Sequence, residues 1–341
     1  MIVHILSEFP LGILHGGIEI QCLRTWKALR AIGVDARLLD YHDPGSEIQI
    51  LHIFGNPPGI MEVCQAMGRR KLVISAVTGT QGSRRLQAMV KRSLGAFASA
   101  FREQTDFRRL DRAFKRADAV ICLNQAERDF LVSTFQLSPG KLFIIPNGVA
   151  ERFRKSDPTS FVKRYGLEGF VLFTGNLGKR KNPLRLARAL QRLRVPGVFI
   201  GKPLPSEEGY FHAFQAEIEK GDRMLWIEEI DHESDLLASA YAAAGVFCLP
   251  SFAETQSLSA LEAMAAGTPV VLGDRPYAYQ EPFKETLRCD PASETSIANT
   301  LRRALADRVA YSHPLPLFYD WKVTARELRA HYEKLLSTVN Q

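Results

Sequence analysis

Along the 341 residues, short apolar runs recur at intervals that leave room for a helix between one run and the next. IVHIL, DARLLDY, IQILHIF, KLVISAV, AVICL and KLFIIP come first, and GFVLFTG, GVFIG, MLWIEEI, GVFCLP and TPVVLG follow. Most are apolar at consecutive rather than alternate positions, as strands covered on both faces must be. Strand alternating with helix predicts parallel sheets with crossover helices, an α/β protein. The order restarts after the turn Pro146-Asn147-Gly148, and the polar run from Glu151 to Pro158 reads as the connection between two Rossmann-like domains, 1–150 and 151–321. A last periodic stretch from Trp321 to Leu336, carrying Val323, Leu328, Tyr332 and Leu335, predicts a C-terminal helix over about 322–341 that packs back on the first domain.

Composition narrows the class. The length suits two domains, and 46% hydrophobic with 24% charged residues is a globular balance. No run approaches the ~18 consecutive apolar residues of a membrane-spanning helix. The start, MIVHILSEFP, has no basic stretch followed by a long apolar segment and a small-residue cleavage site, so a cytoplasmic location is expected. Five cysteines, Cys22, Cys64, Cys122, Cys248 and Cys289, form no C-x-x-C pair and read as reduced, buried packing residues.

The net charge of +7 is unevenly spread. Residues 1–150 carry 19 basic and 13 acidic side chains, the remainder 25 and 24, and residues 69–128 alone hold 14 basic against 5 acidic. From Ser83 to Arg102, helical spacing puts Leu86, Met89, Val90, Leu94, Phe97 and Phe101 on one face and Arg84, Arg85, Lys91, Arg92 and Arg102 on the other. This is either an amphipathic helix on its own core with a solvated basic back, or a face that meets anionic lipid headgroups or an anionic acceptor. No nucleic-acid motif accompanies the charge, so no nucleic-acid partner is expected.

Three stretches could carry chemistry. LPSFAETQSLSALEAMAAGTPVVLG, 249–273, reads as strand, loop, helix, a stop at Gly267 and a further strand. Its Glu254 lies in the loop, Glu262 in the helix, and Thr255, Gln256 and Ser257 at a helix start whose N–H groups suit a phosphate or a sugar hydroxyl. FTGNLGKRKNP, from Phe173 to Pro183, sets Lys179, Arg180 and Lys181 after a glycine turn, but two residues between Gly175 and Gly178 rule out a triphosphate P-loop and leave a looser diphosphate clamp. Gly16-Gly17-Ile18-Glu19 opens a helix where backbone can approach a ligand closely, without the G-x-G-x-x-G pattern of a dinucleotide site. There is no Asp-x-Asp pair to grip a metal and a nucleotide together, and solvated loop charge and a capped helix remain plain readings of the first two stretches.

Taken in order, GGIE at 16–19, ADAVICLNQAERDFL at 117–131, IIPNGV at 144–149, TGNLGKRKN at 174–182, YAAAGVFCLPS at 241–251 and the paired glutamates with EAMAAGTPVV at 262–271 resemble the retaining glycosyltransferases of family 4. The resemblance implies the GT-B fold, two Rossmann-like domains facing a central cleft. It implies transfer of a hexose from a nucleoside-diphosphate sugar, UDP first and GDP or ADP as alternatives, without metal or other cofactor. The acceptor would be a saccharide or a lipid-linked molecule in envelope polysaccharide or lipopolysaccharide synthesis. By the same resemblance Glu254 contacts the donor hexose, Glu262 the ribose, Arg180 and Lys181 the diphosphate, Gly16 and Gly17 the diphosphate from the other domain, and the amides of Gln256, Ser257 and Leu258 the sugar phosphate. The base would meet backbone near Glu228 to Ile230. Two positions depart from the pattern: Asn176 stands where an arginine is common, and Thr78-Gly79 where many members have His-Gly. Thr78 could still bond donor or acceptor, and His52 is either a spatial stand-in or a strand-end packing residue. A catalytically degenerate module that binds nucleotide or a partner protein is the alternative, and a sugar-nucleotide epimerase a third.

Overall fold

The computed structural model describes residues 1–8, 11, 16–40, 42–43, 47–57, 59–68, 70–78, 106–221 and 223–337. The helix expected from Ser83 to Arg102, and with it much of the basic segment 69–128, lies outside the described residues. The chain forms two units, Met1–Gly148 with Phe318–Gln341, and Val149–Leu317.

Unit 1 is built on β1 (Ile2–Ser7), β2 (Asp35–Leu38), β3 (Ile50–Phe54), β4 (Lys71–Ser75), β5 (Ala119–Cys122) and β6 (Leu142–Ile144), all parallel, in the order β2-β1-β3-β4-β5-β6. Helices α1 (Gly17–Ala31), α2 (Ile60–Ala66), α3 (Asp106–Arg116) and α4 (Gln125–Phe135) lie between the strands in sequence. The central strands β3 and β5 are buried throughout, whereas edge strand β2 alternates exposed and buried positions, which is why the central runs stand out most clearly in the sequence.

Unit 2 repeats the scheme with β7 (Val171–Thr174), β8 (Gly197–Ile200), β9 (Met224–Ile227), β10 (Val246–Leu249), β11 (Val270–Gly273) and β12 (Leu287–Cys289), in the order β12-β11-β10-β7-β8-β9. Its helices are α5 (Glu151–Arg154), α6 (Thr159–Tyr165), α7 (Pro183–Leu193), α8 (Glu208–Glu219), α9 (Asp235–Ala243), α10 (Leu258–Ala265) and α11 (Glu294–Ala306). Strand β12 has no counterpart among the expected strands: LRC is three residues long and half exposed at the sheet edge, so it leaves no apolar run. The polar connection after Glu151 also departs from expectation. It contains the single turn α5, whose Phe153 is fully buried and packs edge-on against Tyr241 at 5.5 Å between ring centroids.

The C-terminal helix α12 (Trp321–Ser337) packs against α1 in unit 1. One polar contact fixes it. Residues along β3 alternate between faces, so Leu51 and Ile53 enter the core around Phe114 while His52 points to the other side. There His52 Nδ1 lies 2.6 Å from the Tyr332 hydroxyl, Nε2 lies 2.9 Å from Ser75 Oγ, and the ring stacks on Phe54. Burial pushes the His52 pKa down to about 3, so the ring is neutral and one nitrogen donates while the other accepts. All five cysteines are free and buried, and no helix among the described residues is long and apolar enough to cross a membrane.

Replacing Tyr332 with Phe removes one partner of a buried ring nitrogen. The variant is expected to lose roughly 1–3 kcal/mol of stability in urea unfolding, with little change in the slope against denaturant.

Candidate active site

In an open α/β sheet the crevice for a ligand forms at the carboxyl ends of the strands, where the chain turns from one side of the sheet to the other. In unit 2 that point lies between β7 and β10: the chain runs from β7 to β8 and β9 on one side, and from β10 to β11 and β12 on the other. The loop after β7 holds Arg180 and Lys181, and the loop after β10 holds Ser251 and Glu254. The two most informative stretches of the sequence therefore meet at the place the topology selects.

Backbone contacts bring these loops together. Phe252 N donates to Arg180 O at 2.8 Å, and buried Asn182 donates from its side chain to Pro250 O and Pro291 O. Gly175 (φ +131°) and Gly201 (φ +153°) follow β7 and β8 in a backbone region that favours glycine. A Cβ on Gly201 would collide with the Gly175 carbonyl, and one on Gly175 would press on the Lys181 side chain. The close approach of the two strand exits thus sets where Lys181 lies.

Glu254 is the centre of the cluster. Its Oε1 accepts from Arg180 Nη1 at 2.8 Å and Ser251 Oγ at 3.0 Å, and lies 3.3 Å from Lys181 Nζ. The Glu254 and Lys181 side chains are only 10% and 15% exposed, while Arg180 is 49% exposed and also donates to Ala253 O. Burial pushes the Glu254 carboxyl up, but the charges of Lys181 and Arg180 and the Ser251 bond outweigh it and hold it below the usual carboxylate range. Burial lowers the Lys181 pKa, and Glu254 offsets part of that.

Glu262, on α10, belongs to a second network. Its Oε2 accepts from the Tyr241 hydroxyl at 2.9 Å, which lies 2.6 Å from Thr174 Oγ1, and its Oε1 is 2.6 Å from His232 Nε2. Burial and the Glu262 charge raise the Tyr241 phenol well above its ordinary pKa, so it remains a donor. Ser257 caps α10, its Oγ accepting from Ala260 N at 3.2 Å, with Gln256 buried before it and Leu258 opening the helix. Ile230 is half-buried in the loop after β9, beside Glu229, which pairs with Lys202 at 2.7 Å. Asn176 lies in the turn between Gly175 and Leu177, whose N–H bonds Lys202 O.

In unit 1 the corresponding point lies between β1 and β3. Glu8 follows β1, its N–H donating to Phe54 O, and its carboxyl occupies the space a Cβ on Gly55 (φ +80°) would need. Burial raises the Glu8 pKa against a bond from the Asn56 backbone. Among the described residues, a side chain on Gly16 or Gly17 would meet nothing within 4 Å. Thr78 follows β4, and both its N–H, at 2.6 Å, and its hydroxyl, at 3.1 Å, donate to Oε1 of the fully buried Glu127. Oε2 of Glu127 accepts from Leu123 N at 2.8 Å. His52 is held inside the unit by Tyr332 and Ser75, a packing role rather than that of a stand-in beside Thr78.

Glu127, Glu8, Tyr241, Thr174, Ser251 and His232 were not singled out in the sequence. Asn124 and Glu127 have the spacing of a helix-capping box, and Asn124 does accept from Glu127 N, but the Glu127 carboxyl reaches past the cap to a different strand end. Burial pushes the Glu127 pKa up to about 7 from 4.5, against the bonds from Leu123 and Thr78. The folded state therefore holds a proton there that the unfolded state releases, and stability falls as pH rises from 4.5 through 7. The contribution is on the order of 3 kcal/mol. Unfolding of wild type and Glu127→Gln from pH 5 to pH 8 should show a loss in the wild type that is smaller in the variant; parallel curves would contradict the shift.

Comparison with known proteins follows the same division. Residues 21–153 match the family model described as Glycosyltransferase Family 4, and residues 168–307 match Glycosyl transferases group 1. D-inositol 3-phosphate glycosyltransferase of Stackebrandtia nassauensis is 33% identical over 172 residues, 46% of this chain and 38% of the relative. The enzyme of that name from Mycobacteroides abscessus is 30% identical over 241 residues, 65% of this chain and 53% of the relative. The chain thus aligns with about half or less of the length of these relatives. Among solved structures, sucrose-phosphate synthase from Thermosynechococcus elongatus superposes with a TM-score of 0.76 at 20% identity, over 99% of this chain and 100% of that one. Anabaena HepE, in complex with UDP and glucose, gives 0.70 at 16% identity, over 100% and 98%. At these identities the likeness is one of fold, the GT-B pair of Rossmann-like units. With both units matched in sequence, this protein belongs to glycosyltransferase family 4, the group 1 glycosyltransferases.

Proposed function

We propose that the protein is a metal-independent, retaining hexosyltransferase that moves a sugar from a nucleoside diphosphate to a saccharide or lipid-linked acceptor in cell-envelope polysaccharide or lipopolysaccharide synthesis. The observation that carries this reading is the ionised Glu254 held by Arg180 and Lys181 at the switch point of unit 2. Breaking the bond between the sugar C1 and the phosphate oxygen leaves growing negative charge on the diphosphate. Cations fixed beforehand stabilise that charge without reorganising, which is work a metal does elsewhere. Arg180 is half exposed and has guanidinium N–H groups beyond the one bonded to Glu254.

Glu254 accepts from hydroxyls of the hexose, the amides of Gln256, Ser257 and Leu258 meet the sugar phosphate, Glu262 accepts from the ribose, and the loop around Ile230 borders the base. The acceptor oxygen bonds to C1 on the face the nucleotide leaves, and its proton passes to the departing phosphate oxygen. Thr78, fixed by Glu127, serves the acceptor side in place of a histidine. HepE holds UDP and glucose in a similar fold, which makes UDP the first nucleotide to test. The name shared by the inositol-phosphate relatives adds an anionic polyol phosphate to the acceptors worth testing.

In chelator-containing buffer, nucleotide release from a nucleoside-diphosphate sugar should continue in the wild type. Glu254→Gln should lower kcat by about 100-fold or more while keeping its circular dichroism. Turnover that vanishes with chelator, or survives in the variant, contradicts the reading.

The helix α3, DFRRLDRAFKR, lies within the basic segment 69–128 and supports docking on an anionic membrane surface. Co-sedimentation with vesicles should require anionic lipid and weaken as salt rises, because exposed charges are screened beyond ~10 Å at 0.1 M. Binding indifferent to lipid charge removes the membrane from the proposal.

A further inference from the structure

Glu262 is addressed from two sides that differ in kind. On one side Tyr241 and Thr174 are buried, so the bond to Oε2 is an interior one. On the other, His232 is 24% exposed against 7% for the Glu262 side chain, and its Nε2 bond to Oε1 is the member of the network nearest solvent. His232 is not a loose side chain. Its carbonyl accepts from Arg152 Nη2 at 2.9 Å, the neighbouring Glu233 pairs with the same nitrogen at 3.2 Å, and its ring lies tilted 5.9 Å from that of Phe153. It is also two residues from Ile230, in the loop after β9.

A carboxylate has about four acceptor directions. With Tyr241 taking one on Oε2 and His232 one on Oε1, the carboxylate plane is fixed and the remaining directions are aimed before any ligand arrives. We propose that His232 is a positioning residue of the nucleotide site: it locks the Glu262 carboxylate in the orientation that accepts from both ribose hydroxyls, and so sets the preference for ribonucleotides over 2′-deoxyribonucleotides. This rests on the reading of Glu262 as the ribose-binding group. Without His232 the Tyr241 bond to Oε2 remains, but it alone no longer fixes the carboxylate plane about its last torsion. The ribose then loses its aligned second bond, whereas a 2′-deoxyribose, offering only the 3′-hydroxyl there, loses little.

The test is calorimetric binding of UDP, ADP and GDP, each against its 2′-deoxy form, to the full chain. Variants His232→Ala, His232→Asn and Glu262→Gln are compared with wild type, and the melting temperature of each is recorded. A hydrogen bond to a charged group is worth about 1.5–3 kcal/mol, so the wild type should prefer the ribo form of its nucleotide by about tenfold or more. His232→Ala should lose most of that preference, through weaker ribonucleotide binding with deoxynucleotide binding changed by less than about twofold. His232→Asn, whose amide can donate to Oε1, should recover part of it. Equal weakening of both forms, with the preference intact, means that His232 only supports the loop and overturns the proposal alone. A wild type that binds none of the pairs, or does not discriminate between the forms, or a Glu262→Gln variant that still discriminates, overturns the reading of Glu262 and the proposal with it.

Discussion

The buried pair of Glu254 and Lys181 is the constraint around which unit 2 is arranged. A carboxylate and an ammonium taken out of water lose hydration that their attraction replaces only at close range and with the remaining bonding sites filled. Ser251 and Arg180 fill them. Close range in turn requires the exits of β7 and β10 to lie side by side, which the bonds of Asn182 and Phe252 secure. Removing Glu254 leaves Lys181 buried without its nearest counter-ion, which typically costs about 3–5 kcal/mol, whereas Glu254 without Lys181 keeps Arg180 and Ser251. Site and fold are therefore one arrangement in this unit, and the strand ends tolerate little independent change.

Both units are six-stranded parallel sheets, but they differ in strand order, with the switch after the first and second strands in unit 1 and after the first three in unit 2, and they differ in electrostatics. At the strand ends of unit 2 the carboxyl of Glu254 has two cations beside it and is held ionised. At those of unit 1, Glu8 and Glu127 are bonded to backbone amides and a hydroxyl, and burial carries both upward. Burial there disfavours the charged carboxylate, where the cations of unit 2 favour it.

Much of this was legible in the sequence because it rests on local pattern. Central strands are apolar on both faces and stand out as runs, and the Gly175 turn with its cations and the loop carrying Glu254 stand out as local motifs, which the fold brings together. What was not legible depends on residues far apart in the chain. Tyr332 lies 280 positions from His52, and Glu127 lies 49 from Thr78. In the sequence the first is one more apolar position on a helix and the second a capping residue. His232 is one polar residue in the polar stretch DHESD, and only the fold brings it to Glu262. Strand β12 was hidden for the opposite reason, a half-exposed edge that needs no apolar pattern at all.

Thr174 and Gly175 are consecutive, yet one hydrogen-bonds into the Glu262 network and the other underlies Lys181 and through it Glu254. Two buried acidic side chains, Glu254 and Glu262, are thus referenced to a single dipeptide at the end of one strand. For the diversification of such a protein this sets a hierarchy. Loop residues around Ile230 and Gln256 can change one at a time, while the 174–175 dipeptide is a shared datum whose alteration shifts both networks at once. A substitution at either position therefore disturbs the surroundings of both carboxylates together.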